Sequence, residues 1–95
     1  MIKSFTDALT EEIFEGIYTH AQRKKFSSSI VKIAERKMDL LHAAENLEAL
    51  ETIPSHRGGG FKKDVHDSYS IPIAGNFRLC FRWNDNNAED VAIRG

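Results

Sequence analysis

The chain has 95 residues, 41% hydrophobic and 28% charged, and a formal net charge of −1 from 13 lysines and arginines against 14 aspartates and glutamates. That is enough for one domain with a modest core, and it excludes a nucleic-acid binder that works through bulk positive charge; an RNA or DNA partner would have to be met by a local basic patch. No stretch approaches the ~20 apolar residues of a membrane span, the single Cys80 cannot form an internal disulfide, and Met1 to Asp7 carries no charged leader or cleavage signal, so a cytoplasmic protein without membrane contact is expected.

Ile2 to Phe5 reads as a short strand or extended lead-in. Thr6 or Asp7 then offers an N-cap, with Glu11 and Glu12 near the first turn, where negative charge suits the helix dipole. Leu9, Ile13 and Ile17 recur every fourth residue, with Phe14 and Tyr18 beside them, and predict a first amphipathic helix. Gln22 to Lys25 is a polar, basic connection holding Arg23, Lys24 and Lys25, followed by Phe26 as an anchor. Ser27, Ser28 and Ser29 supply capping hydroxyls for a second helix, whose stripe is Ile30, Ala34, Met38 and Leu41, flanked by Ile33 and Leu40.

Leu47 and Leu50 suggest a short helical turn that Pro54 stops. Ser55 to Gly60 reads as a flexible loop; its three glycines lack the Lys-Ser/Thr and the following helix that a phosphate cradle needs. Phe61 to Val65 is a strand candidate, with Phe61, Lys63 and Val65 on one side and Lys62 and Asp64 on the other.

The clearest element is Ser68 to Trp83. Tyr69, Ile71 and Ile73 alternate with Ser70, Pro72 and Ala74, and Phe77, Leu79, Phe81 and Trp83 alternate with Arg78, Cys80 and Arg82. This period marks two half-buried strands, and Gly75-Asn76 between them suits the positive φ of a tight hairpin turn. Asn84 to Asn87 is a second turn, leading to a last strand, Ala88 to Ile93, with Val91 and Ile93 on the core side. Two helices followed by strands joined through short turns predict an α+β domain with the helices on one face of a small, mostly antiparallel sheet. Lys62, Asp64, Ser70, Arg78, Cys80, Arg82 and Asp90 are expected on the opposite, open face.

Among possible chemistries, metal binding fails first: His20, His42, His56 and His66 are scattered and no pair has metal-ligand spacing, so neither metal nor cofactor is expected. Cys80 has no evident base and reads as a small filler. Lys62, Arg78 and Arg82 remain as cations suited to phosphate oxygens. Cutting RNA without a metal needs a base for the 2′-OH, a cation for the phosphate and an acid for the leaving oxygen. Lys62 and Arg78 supply the cation function in that scheme, while Lys and Arg on exposed strands equally serve to keep sheet edges soluble.

Met1 to Phe5, Ile13 to Gly16, Arg23 to Phe26, Arg36 to Leu41, Tyr69-Ser70-Ile71 and Phe77 to Trp83 together resemble the HigB branch of the RelE/ParE superfamily, the toxin halves of bacterial toxin–antitoxin modules. The resemblance implies a RelE-like fold and a ribosome-dependent mRNA endonuclease. It also implies a helix-turn-helix (HigA-type) antitoxin as partner, through which alone the toxin reaches operator DNA. It places Lys62 on the family's lysine in its Leu-Lys-Gly-Asp segment and Arg78 on the arginine after an Asn-aromatic pair, both as catalytic cations. Arg82, Arg57 and Lys63 are then the side chains expected to contact RNA. The sequence departs from the family pattern at Val65 and Pro72, where the family carries basic residues, and at Gly95, where family members place the Asp of a final Asp-Tyr-His. His66 and His56 are the histidines available as a substitute base. Two functional classes follow: an mRNA endoribonuclease, or a toxin-like module that binds antitoxin, or another target as ParE does, without cutting.

Overall fold

In the computed structural model, which describes residues 1–56 and 58–95, the Asp7 carboxylate accepts the Thr10 N–H at 2.7 Å and opens helix α1 (Ala8–Phe14). The bond satisfies one of the first-turn donors that a helix cannot satisfy itself. Gly16 adopts a φ of 77° and turns the chain out of the helix. Ile17 and Tyr18, which the spacing from Leu9 and Ile13 places on the helical stripe, therefore lie beyond it and are 48% and 59% exposed. The basic connection is itself a short helix, α2 (His20–Lys25), capped by Thr19. Its last turn carries Arg23, Lys24 and Lys25, where cations complement the free carbonyls. Phe26 closes it as the expected anchor, buried edge-on against Phe77 with ring centroids 5.2 Å apart.

Ser27 caps α3 (Ser28–Ala43) through the Ile30 N–H. Its buried residues are Val31, Ala34, Lys37, Met38 and Leu41. Relative to the expected stripe, Val31 replaces Ile30, which is half-buried, and Leu40 faces solvent. Lys37, a position that hydropathy puts outside, lies inside. Asn46 caps α4 (Leu47–Glu51), and a 3-10 turn at Pro54–His56 follows. The stretch expected to be a flexible loop thus begins with a folded turn that buries His56. Arg57 lies outside the described residues.

Strands β1 (Lys62–Lys63), β2 (Ser68–Ala74), β3 (Phe77–Asn84) and β4 (Asn87–Arg94) form one antiparallel sheet in that order. The Phe61 to Val65 strand is thus shorter than its alternation suggests, because β1 pairs only with Ser70 and Tyr69. Beyond it β2 is an edge, which accommodates Pro72, a residue with no N–H to donate. Gly75 turns the first hairpin with a φ of 58°; Asp85 and Asn86, at 50° and 61°, turn the second, the geometry of tight turns whose twist matches the flanking strands.

The N-terminal segment lies parallel along the outer edge of β4, bridging Ile2 to Ala88 and Phe5 to Val91. The Lys3 N–H donates to the Ala88 carbonyl at 2.8 Å, and the Thr6 N–H to the Val91 carbonyl at 3.1 Å. Beside it β4 bulges: two residues, Asp90 and Val91, stand opposite Phe81. Asp90 takes a φ of 53°, its N–H donating to the Ser4 hydroxyl at 2.9 Å. Beyond the extra residue the alternation holds as expected: Val91 is buried, Ile93 pairs with core Leu79 and packs half-buried against the core, and Ala92, paired with Cys80, is buried on the opposite face. The core is the α+β arrangement expected: Ile13 from α1 and Ala34, Met38 and Leu41 from α3 close over Ile71, Leu79, Phe81 and Val91. A row of rings, Phe61, Tyr69, Phe81 and Trp83, runs across the helix-covered face.

Candidate functional site

Directly paired residues of an antiparallel sheet share a face. The register puts Lys62, Ser70, Cys80 and Ala92 in one row, Pro72, Arg78 and Arg94 in the next, and Ser68, Arg82 and Glu89 on the other side. Lys62, Arg78 and Arg82 thus share the face turned away from α1 and α3, as expected. Arg94 joins them, directly across from Arg78, and was not among the expected site residues. Its side of the strand follows from the alternation that puts Val91 and Ile93 on the core side. Lys63 goes to the opposite face, its ammonium 6.0 Å from the centre of the Tyr69 ring; the structure separates it from the arginines. A cavity of about 340 Å³ opens on the cationic face, and its lining includes Cys80, Arg82 and Arg94 together with Asp64 and Asp90.

The face is less open than alternation predicts. Ser70 is only 4% exposed, because Arg78 lies over it. Arg78 is half-buried: its Nε donates to the Ser70 hydroxyl at 2.9 Å and its Nη2 to the Ser70 carbonyl at 3.2 Å and to the Gly60 carbonyl. The guanidinium therefore clips the glycine loop to β2, and Nη1 is the edge left without a described partner. Arg82 is exposed and forms a 3.8 Å ion pair with Asp90, a contact of small energetic worth in water.

Cys80 is half-buried. Burial pushes its thiol up and Asp64 adds to the effect, while Arg94 and Arg78 oppose it. The thiol stays protonated near neutrality, which fits a filler rather than a nucleophile. His66 is exposed in the turn before β2, with a φ of 58°.

His56 is 2% exposed, and both ring nitrogens are engaged. Lys37 Nζ lies 2.7 Å from Nε2, and Nδ1 lies 2.8 Å from the Leu50 carbonyl. An ammonium only donates and a carbonyl only accepts, so Nε2 is the acceptor and Nδ1 carries the proton. His56 is thereby removed as a base for an RNA hydroxyl. Among the described residues, no three His, Cys, Asp or Glu side chains cluster as metal ligands would, and no helix is long and apolar enough to cross a membrane.

Residues 3–94, which build this sheet and the helices on it, match the model of the HigB-like toxin family, described as the RelE-like toxin of the type II toxin–antitoxin system HigB. The chain belongs to this family. An uncharacterized protein of Haemophilus influenzae is 24% identical over 89 residues, covering 94% of this chain and 85% of the relative. As a type II toxin it is one half of a pair whose other half is an antitoxin. Within the toxin, α1 and α3 are the two helices packed on the sheet, and the cationic face is the one they leave uncovered.

Proposed function

We propose that this toxin is a ribosome-dependent mRNA endoribonuclease that inhibits translation in the cytoplasm. It is neutralised by a helix-turn-helix, HigA-type antitoxin, through which it reaches operator DNA. The observation carrying this reading is the register that sets Lys62, Arg78 and Arg94 on one face of the sheet, the face the helices leave uncovered, where Arg94 also borders the cavity. Lys62 and the free edge of Arg78 stabilise the charge that builds on the scissile phosphate, and Arg94 and Arg82 contact neighbouring phosphates. Asp90 is engaged by Arg82 and Ser4. Asp64, on the same cavity, is therefore the carboxylate assigned to take the 2′-OH proton. The proton for the leaving oxygen comes from the ribosomal side.

A net charge of −1, with Asp64, Glu89 and Asp90 interspersed among the cations, supports recognition through a few placed contacts rather than a long basic track. Induction of the toxin without antitoxin, followed by primer extension on a translated message, tests the reading. Growth arrest with cuts that disappear in Lys62→Ala and Asp64→Asn supports it; arrest with intact message overturns it.

A second reading has its own support. The inward hydrogen bonds of Arg78 and the engaged ring of His56 favour a face that binds its target, antitoxin or another protein, without cutting. Arrest with intact message that still requires Arg82 and Arg94 would establish it.

A further inference from the structure

Lys37 and His56 form a buried pair of bases, and among the described residues no carboxylate is hydrogen-bonded to either. Lys37 is 8% exposed and donates to Ser55 Oγ at 3.0 Å as well as to His56. Burial holds the Lys37 ammonium below its usual range, and Arg36 adds to the effect. Two apolar side chains would fill this space without desolvating a cation, so stability alone does not account for the pair.

From His56 the contacts run outward to the site. The His56 carbonyl accepts the Phe61 N–H at 2.8 Å. Gly60 lies so close over the His56 backbone that a Cβ there would sit 2.7 Å from the His56 Cα. The Gly60 carbonyl in turn accepts Nη2 of Arg78. The guanidinium is therefore held from below by Ser70, within the sheet, and from the side by a loop whose seat is His56.

We propose that Lys37 and His56 are positioning residues for Arg78, holding the glycine loop that orients its free edge; the functional meaning rests on the reading of Arg78 as the phosphate contact. The imidazole faces Lys37 of α3, whose ammonium also feels the charge of exposed Arg36, the Leu50 carbonyl of α4 and the charge of Arg78 on β3. Among the described residues no carboxylate hydrogen-bonds to it. A neutral ring accepts from Lys37 and separates that ammonium from Arg78, whereas a charged ring would place three cations together and release the loop.

The test reads Arg78 itself. In the folded chain, proton exchange at the Arg78 Nη groups, which include the donor to Gly60, is followed by NMR and compared with that of exposed Arg82 as internal reference. His56→Leu and Lys37→Met are expected to accelerate Arg78 exchange about tenfold or more, the equivalent of losing one charge-assisted hydrogen bond. His56→Gln, which keeps an acceptor for Lys37, restores slow exchange. Should the variants fail to fold, the wild-type protein is titrated downward from pH 7.5 until the His56 ring signals report its protonation, and Arg78 exchange is compared with that of Arg82 on either side of that change. Unchanged Arg78 exchange relative to Arg82 in these conditions overturns the proposal.

Affinity for a short single-stranded RNA separates the two readings. If loosening Arg78 weakens RNA binding as Arg78→Ala does, positioning and phosphate contact both hold. If exchange accelerates while Arg78→Ala leaves RNA affinity intact, positioning stands and the phosphate reading falls.

Discussion

Arg78 on β3 lies directly across from Arg94 on β4, two guanidinium groups in one row of the sheet with unequal freedom. Arg78 is tied to Ser70 and Gly60, whereas Arg94 is exposed. Arg94→Ala is therefore expected to lower RNA affinity several-fold while changing stability by less than about 0.5 kcal/mol, as for other exposed sites. Filter binding and a urea melt on the same preparation check both halves.

Arg78→Ala behaves differently. It strips the Ser70 hydroxyl, the Ser70 carbonyl and the Gly60 carbonyl of their donor. Leaving such groups unsatisfied costs about 1–3 kcal/mol, so the substitution destabilises the fold as well as the site. This corrects the expectation from alternation that Arg78 stands clear of the fold. Gly60→Ala is expected to cost a similar amount, through overpacking against the His56 backbone. Denaturant midpoints should fall for both variants and hold for Lys62→Ala, an exposed residue in the same neighbourhood.

His56 makes stability depend on acid. Burial lowers its pKa below 6.5, the Leu50 carbonyl bond opposes this, and Lys37 and Arg78 add to the lowering. The unfolded chain therefore takes up a proton near pH 6.5 while the folded chain still resists it. Between these two values the unfolded state binds more protons, so stability falls as the pH drops below about 6.5 and levels off beneath the folded-state value. Urea melts from pH 7.5 to 5 are expected to show this loss, with a shallower slope in His56→Gln. A slope equal to wild type in that variant would assign the acid sensitivity to other groups.

Phe81 is 2% exposed, between the rings of Tyr69 and Trp83. Phe81→Ala leaves a cavity under α3 and is expected to cost about 3–5 kcal/mol. For a domain of this size such a loss unfolds a large fraction of the chain, which thermal melting by circular dichroism would register.

Much of this fold is legible residue by residue. Asp7 and Ser27 cap helices because a short side-chain oxygen reaches the first-turn N–H from just outside the helix. Gly75 turns the hairpin because it tolerates a positive φ, and Phe77, Leu79 and Phe81 face the core because strand side chains alternate. The failures have the same local character. The spacing from Leu9 to Ile17 runs through Gly16, where the backbone leaves the helix. Lys37 gave no hydropathic signal of burial, since its partner His56 lies elsewhere in the chain.

By itself the sequence determined the two main helices, the hairpin strands and their turns, the two-faced β3 and the family, since each depends on neighbouring residues or on motifs read in order. It also put Lys62, Arg78 and Arg82 on one face. Only the tertiary structure decided that Arg94 lies directly across from Arg78, that Lys37 and His56 meet in the interior, and that Arg78 is clamped to a loop seated on His56. Those relations arise from strand register and the packing of α3 against the loop. Side chains distant along the chain meet there by geometry, and no local pattern of residues records the meeting.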